Sequence, residues 1–376
     1  MLASKRPGDA SQVLALAEGL GWPFEIKRLV FRRTSLLLAP PFSSSDAGID
    51  RRRSVSLDAP WPDLVLVSGR ENEPVARWIR CQSGGKTRIV QVGRPWGPIA
   101  AYDLVVTTPQ YRLPAHANVL HNTAPLHRVT RERLVAASRR WAPRLAGLPR
   151  PFIAVLVGGH SGPYALTRRS GERLAGEVNG LAARLGGSLL VTTSARTPEP
   201  AGRAFEQGLS CPRRLYHWRR GDPENPYFAF LALADEIVVT ADSMSMVSEA
   251  VATGKRVHLF DLGESWGSMR ERTIGSDGRP RLRDWLQEFH PRAALYRCLL
   301  RLAPPRMTRD LRLVHHRLVA TGRAVWLGEP TPAGPPPPLD DLARAVERAR
   351  ALIEPEQVAA VSGDWDSRRS LAEAAA

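Results

Sequence analysis

Short, unbroken apolar runs recur along the second half of this chain, each ending in a polar or glycine-bearing turn that leads into a helical pattern. Phe152 to Val157 predicts a strand, followed by the loop Gly158-Gly159-His160-Ser161-Gly162-Pro163-Tyr164. A helix then opens near Arg168 and places Leu174, Val178, Leu181 and Leu185 on one face. The plan repeats with a strand Ser188 to Thr192, a turn Thr193 to Thr197 and a helix near Ala201 to Gly208. Next come a strand Leu215 to Trp218, a loop Arg219 to Asn225, and a helix to Ala234 with Pro226 in its first turn. A strand Glu236 to Thr240, a turn from Ala241, a helix Met244 to Thr253 closed by Gly254, and a strand Val257 to Phe260 complete the series. Strands covered on both faces read as continuous apolar runs, not alternating ones. Strict β-α alternation predicts an α/β fold with a doubly wound parallel sheet.

The first half follows the same plan more loosely. Asp9 and Gln12 have the spacing of a capping box, after which Val13, Leu16, Ala17 and Leu20 share a helical face that stops at Gly21. Strands are expected at Leu64 to Val67, Thr87 to Val92 and Leu104 to Thr107, with a helix at Pro74 to Cys81 and a loop at Arg51 to Asp58. A chain of 376 residues holds two domains of about 100–200 residues each. The Pro/Gly-rich break Pro143 to Pro151 divides them, giving domains 1–148 and 149–330. Arg/Leu-rich helices run to about Leu318, Pro335 to Pro338 makes a stiff linker, and Leu339 to Ile353 an amphipathic helix within 331–354; residues 355–376 read as a frayed tail.

The apolar share of 43% and charged share of 24% exclude wholesale disorder. No apolar run approaches the ~18 residues of a membrane span, and Glu18 interrupts any secretory-type apolar stretch near the start. Three scattered cysteines, Cys81, Cys211 and Cys298, offer neither a disulfide framework nor metal spacing, so a cytoplasmic setting is expected. Net charge is +16, of which residues 1–150 carry +12 (23 basic, 11 acidic). That asymmetry suits an anionic partner: a phosphorylated substrate or an anionic membrane surface. Lys27-Arg28 and Arg32-Arg33 beside Leu36-Leu37-Leu38 are candidates for a peripheral membrane contact, although a strand with its flanks explains them equally. No nucleic-acid module is legible, so nucleic acid is not expected as a partner.

In an open parallel sheet, ligands sit beyond the carboxyl ends of the strands. Four polar turns follow strand ends here, at Gly158 to Tyr164, Thr193 to Thr197, Arg219 to Asn225 and Ala241 to Ser245, and they point to a nucleotide or sugar-phosphate cleft. Ser243 is placed to cap the helix after it, whose N-terminus would favour a phosphate, and Glu249 to accept from ribose hydroxyls. The plainer explanation is a cap and a surface acid. Other matches fail. Gly85-Lys86-Thr87 has Arg80 where a P-loop needs its first glycine. Ser83 and Lys86 have β-lactamase spacing but sit in a helix-to-strand turn. Asp364 and Asp366 lie in the tail, and His315 and His316 face different ways on any helix; no metal and no bound cofactor are expected.

The stretch Asn225 to Leu262 resembles the mitochondrial-fission "elongated mitochondria" family, shared by plants and many bacterial proteins. Supporting motifs are Gly8-Asp9-x-x-Gln12, Pro62-Asp63-Leu64 through Gly69-Arg70, Gln91 with Pro95, Asp103 to Val106, Asn118-Val119-Leu120 and Thr193 to Pro198, so the resemblance covers roughly residues 3–330. It implies a GT-B glycosyltransferase-like fold: two Rossmann-like domains facing a cleft, with a terminal helix packed back on the first. It further implies a nucleotide-sugar held by Gly158, Gly159, His160, Ser161, Ser194, Arg196, Asn225, Tyr227, Asp242, Ser243, Ser245, Met246 and Glu249. The acceptor side would use Gly8, Gln12, Gly69, Arg70, Gln91 and Pro95. Two departures stand out. Only Met1 to Ser4 precede the first turn where the family has a full strand, so either that strand is short or the chain starts further upstream. Gln110-Tyr111 replaces a frequent His-Asp pair, leaving Asp9 as the candidate base, with an N-cap as its other role. Three functions remain open: metal-independent sugar transfer, nucleotide-sugar epimerisation, or a non-catalytic adaptor, the last because plant relatives are implicated in recruiting a dynamin-like GTPase to mitochondria.

Overall fold

The computed structural model describes residues 1–263, 268–270, 293, 295–296, 298, 302–304 and 308–354. Most of the Arg/Leu-rich stretch 271–307, the Asp364/Asp366 pattern and the tail from 355 lie outside the described residues. The chain forms two compact α/β units.

The first unit comprises residues 1–108 and 113–128, joined by the segment from Asp340 onward. Its helix α1 (Pro7–Leu20) starts with proline in the first turn and Arg6 at the N-cap, and it ends on Gly21 at φ 70°. Proline suits this place because its φ is already helical and the N–H it lacks would have had no partner. Asp9 therefore lies inside the first turn, and the capping box expected from Asp9 and Gln12 is not formed; the Gln12 amide instead donates to the Gly8 carbonyl at 3.4 Å. After a one-turn helix α2 (Ser35–Leu38) come β1 (Leu64–Val67), α3 (Asn72–Gln82), β2 (Arg88–Val92), β3 (Leu104–Thr107) and β4 (Val119–His121). The strands pair in that order, all parallel. Leu2 adds a single residue beside β1, bridging Val67 and Lys27. Val13, Leu16 and Leu20 of α1 pack on Leu66, Val90 and Leu104 of the sheet.

The second unit holds residues 109–112 and 129–339. Helix α4 (Arg131–Leu145) is capped by Thr130 and sets the Trp141 ring edge-on to Phe230, 6.1 Å away, so the division of the chain precedes α4. The Pro143 to Pro151 break falls within this unit, with Pro143 inside α4. Then follow β5 (Phe152–Leu156), α5 (Arg168–Leu185), β6 (Ser188–Thr192), α6 (Glu199–Gln207), β7 (Arg213–Tyr216), α7 (Tyr227–Leu233), β8 (Glu236–Thr240), α8 (Met244–Val251), β9 (Arg256–Phe260), α9 (Arg312–Ala320) and β10 (Val325–Trp326). Strand order is β10-β9-β8-β5-β6-β7, all parallel. The chain thus winds outward from β5 to β7 and returns to the other side of β5, which puts a switch point between β5 and β8. Every residue of β5 and β6 is buried, as their continuous apolar runs require.

Several element boundaries differ from the sequence reading by one or two residues, and two of these shifts have a physical reason. Strand β7 starts two residues early, at Arg213, because an edge strand has one solvent-facing side and tolerates exposed arginines there. Pro226 stands at the N-cap of α7, one position before the first turn.

The last described helix, α10 (Asp341–Arg350), returns to the first unit, where Ala345 and Ala349 join the α1 core. Gly19 on α1 admits this approach: a Cβ there would lie 2.8 Å from Val346 Cγ2. Among the described residues no helix is long and apolar enough to cross a membrane.

Candidate site at the carboxyl edge of the second sheet

Beyond the carboxyl ends of β5, β6 and β8, three turns are knitted together by side-chain bonds. Gly158 N–H donates to Thr240 Oγ1 at 2.7 Å, and Gly159 N–H to Asp242 Oδ2 at 2.9 Å. Arg196 reaches across from the turn after β6, placing Nη2 3.2 Å from Asp242 Oδ2 and donating from Nη1 to the His160 carbonyl at 2.8 Å. The Ser194 hydroxyl donates to the Gly158 carbonyl at 2.9 Å, and Thr197 Oγ1 to the same oxygen at 2.6 Å. Gly158, Gly159, His160, Ser194, Arg196 and Asp242 therefore share one rim.

Glycine is required at the first two of these positions by the protein's own packing. A Cβ on Gly158 would stand 2.5 Å from Asp242 Oδ1, and one on Gly159 would run into the Arg196 carbonyl. Asp242 is 1% exposed, and burial raises its carboxyl above the usual range against the pull of the Arg196 guanidinium and the Gly159 N–H. Arg196 itself is 43% exposed at its side chain, so the pair is half-open to solvent.

Ser243 occupies the N-cap of α8, yet its side chain makes no cap bond; its carbonyl accepts from Val247 N–H at 2.9 Å. The expected hydroxyl cap is absent because φ −100° and ψ 89° depart from the extended backbone that usually aims an N-cap oxygen at the turn. Ser245 and Met246 lie half-buried in that first turn, and Ser161 closes a turn with Tyr164. Glu249 faces α7: Tyr227 OH donates to Glu249 Oε2 at 2.5 Å, and burial with this carboxylate drives the phenol pKa well above its ordinary value. Asn225 Oδ1 accepts from Tyr227 N–H at 3.0 Å, so this residue serves the start of α7. The turn after β7 is tied to its neighbour where Trp218 N–H donates to Thr193 Oγ1 at 2.9 Å.

On the first unit, Gly69 and Arg70 follow β1 and Pro95 follows β2, at the carboxyl ends of that sheet. Gly8 and Gln12 belong to α1, whose first turn meets the same edge where Ser68 Oγ donates to the Asp9 carbonyl at 3.4 Å. Gln91 is fully buried on β2 and donates to the Arg94 carbonyl at 3.2 Å, a structural task. The sequence reading missed Trp96, whose ring carries the guanidinium groups of Arg70 and Arg94, each 5.2 Å from its centroid. It also missed the roles of Thr197, at the end of the turn after β6, and of Thr240; for Thr240, a threonine closing a buried strand just before a polar turn was the available signal. His315 is buried and His316 exposed, so they do not converge, and no group of metal-ligating side chains occurs among the described residues.

The mitochondrial fission protein ELM1 of Arabidopsis thaliana is 28% identical over 242 residues, covering 57% of this chain and 56% of that protein. The chain thus spans little more than half the length of that relative. An uncharacterised protein of Rickettsia prowazekii is 22% identical over 294 residues, covering 69% of this chain and 82% of its own. Among solved structures, the Escherichia coli ADP-heptose lipopolysaccharide heptosyltransferase II is similar at 13% identity and a TM-score of 0.39, over 71% of this chain and 85% of that one. The family described as mitochondrial fission ELM1 matches residues 7–276, and on that extent the chain belongs to the mitochondrial fission ELM1 family.

Proposed function

We propose that the second unit binds a nucleotide-sugar, or a related nucleotide, at the carboxyl ends of β5, β6 and β8, and transfers the sugar. One observation carries this reading: at the β5/β8 switch point, Gly159, Arg196 and Asp242 are joined in a single constellation. Switch points are where open α/β sheets place ligands. Gly158 and Gly159 bring backbone close to that point, and the Arg196 guanidinium together with the α8 N-terminus supplies a positive field for a leaving diphosphate. Asp9 is the base candidate on the acceptor side, in the α1 turn that meets the first sheet's carboxyl edge at Ser68.

A second reading has its own support. Arg196 is bonded to Asp242 Oδ2 and His160, and Glu249 to Tyr227, so much of the rim's polar capacity is engaged internally, although Asp242 Oδ1 accepts no hydrogen bond. That favours an adaptor keeping the fold without turnover, a role in line with the name of the Arabidopsis relative. Calorimetry of the full chain with UDP-, ADP- and GDP-sugars separates the readings. Saturable one-to-one binding competed by the bare nucleoside diphosphate supports the pocket. Release of nucleoside diphosphate from the bound donor identifies transfer, and interconversion of the sugar identifies an epimerase. Absence of heat with every donor contradicts the pocket and leaves the adaptor.

A further inference from the structure

We propose that the face of the first unit built by residues 24–55 docks on an anionic lipid bilayer. Two extended segments lie side by side there. Phe31 and Ile49 form an antiparallel bridge, Asp50 N–H donates to the Val30 carbonyl at 2.8 Å, and Arg32 N–H to the Gly48 carbonyl at 3.0 Å. Leu29, Ala39 and Ile49 turn inward and are buried. Outward, the apolar side chains are unusually bare: Leu37 is 83% and Phe42 74% exposed, and Phe24, Ile26, Leu38 and Val55 are exposed as well. Large apolar groups clustered on a surface mark a contact site.

Charge selects the partner. Arg28, Arg32, Arg33, Arg51, Arg52 and Arg53 are exposed in the same two segments. Of the nearby acids, Glu25 pairs with Lys27 at 2.7 Å, Asp46 takes up Arg51, and Asp50 accepts from Arg52 N–H at 3.2 Å, so Arg51 is already partnered and the basic excess rests on the other five. Arginines interspersed with projecting Leu and Phe suit a surface that needs no shape complementarity. An anionic bilayer offers that: apolar side chains enter the headgroup boundary while cations meet lipid phosphates and carboxylates. This inference stands on the first unit alone and is independent of nucleotide binding by the second.

Cosedimentation of the full chain with phosphatidylcholine vesicles, with and without phosphatidylserine, tests it. Binding should be at least about tenfold tighter to the anionic vesicles, and each basic residue withdrawn should weaken it by about fivefold. Arg32→Glu with Arg33→Glu, and separately Leu37→Ser with Phe42→Ser, should each abolish most of the binding while leaving the melting temperature unchanged. Arg213→Glu with Arg214→Glu, exposed on the β7 edge of the second unit, should leave it intact. Equal binding to both vesicle types overturns the proposal. So does loss in the Arg213/Arg214 variant as large as at Arg32/Arg33, which would trace binding to diffuse charge. So does a dimer that Leu37→Ser with Phe42→Ser dissociates without any vesicle binding, which would make the face self-complementary.

Discussion

Side chains at the switch point illustrate how one pattern can serve two ends. Gly158-Gly159 reads in the sequence as backbone left open for an anion, but in the structure the space above these residues is taken by Asp242 and the Arg196 carbonyl. Gly159→Ala must therefore push backbone against backbone and should cost about 1–3 kcal/mol. Gly176, in the middle of α5 with nothing within 4 Å of its missing Cβ, is the contrasting case. Gly176→Ala should stabilise by about 0.4–1 kcal/mol, because the unfolded chain loses freedom while the helix loses nothing. Denaturant midpoints of the two variants should move in opposite directions. His315 carries a pH signature. Burial lowers its pKa from 6.5 to about 4, and its ring packs edge-on to Trp326 at 5.6 Å. The unfolded chain binds a proton in that interval and the folded chain does not, so this stability is complete above pH 6.5 and is lost as pH falls toward about 4. The loss amounts to about 3 kcal/mol. His315→Phe should flatten that limb of the stability profile; an unchanged slope between the two pH values would show that other groups titrate there.

Among the elements, the buried strands were the most legible. Leu64–Val67, Leu104–Thr107, Ser188–Thr192 and Glu236–Thr240 lie where their apolar runs place them. A run buried on both faces has few alternative structures, so composition alone limits it. Helix starts were less legible. Asp9 and Ser243 have the right chemistry for caps, but Pro7 begins α1 earlier and the Ser243 backbone does not aim its hydroxyl. Strand β4 and helix α4 were missed: β4 has three residues, too short for a periodic signal, and Pro143 read as a break although it sits within α4. The same limits hide what fixes α10. Asp341, fully buried, accepts from Thr123 N–H at 2.9 Å and Ala124 N–H at 2.8 Å. Asp341→Ala strands both donors and should cost about 2–4 kcal/mol. Amide exchange should accelerate in α10 and along the α1 face it covers; unchanged exchange would mean that the Ala345 and Ala349 contacts alone hold the helix.

At the scale of the whole molecule, the sequence revealed two α/β units and a charge excess in the first half, but it placed their division too late. Helix α4 gives no strand-like run and is assigned by its contact with α7 and by the pairing of Arg140 and Arg144 with Glu224 in the loop before α7, which no local pattern encodes. The rim of the second sheet shows a similar split. Its strand ends and turns were readable, whereas the bonds of Arg196 to Asp242 and of Tyr227 to Glu249 join residues far apart in sequence. Those bonds make the central claim testable as a single unit, because a ligand at the switch point must contact all three turns. Hydrogen–deuterium exchange of the full chain with and without a panel of nucleotide-sugars provides the most direct measurement. Joint protection of segments 157–164, 193–197 and 241–246 by one donor, with the first unit's 24–55 face unaffected, is the expected result. Saturating donor that leaves those three segments unprotected, or protects only one of them, would contradict a common site.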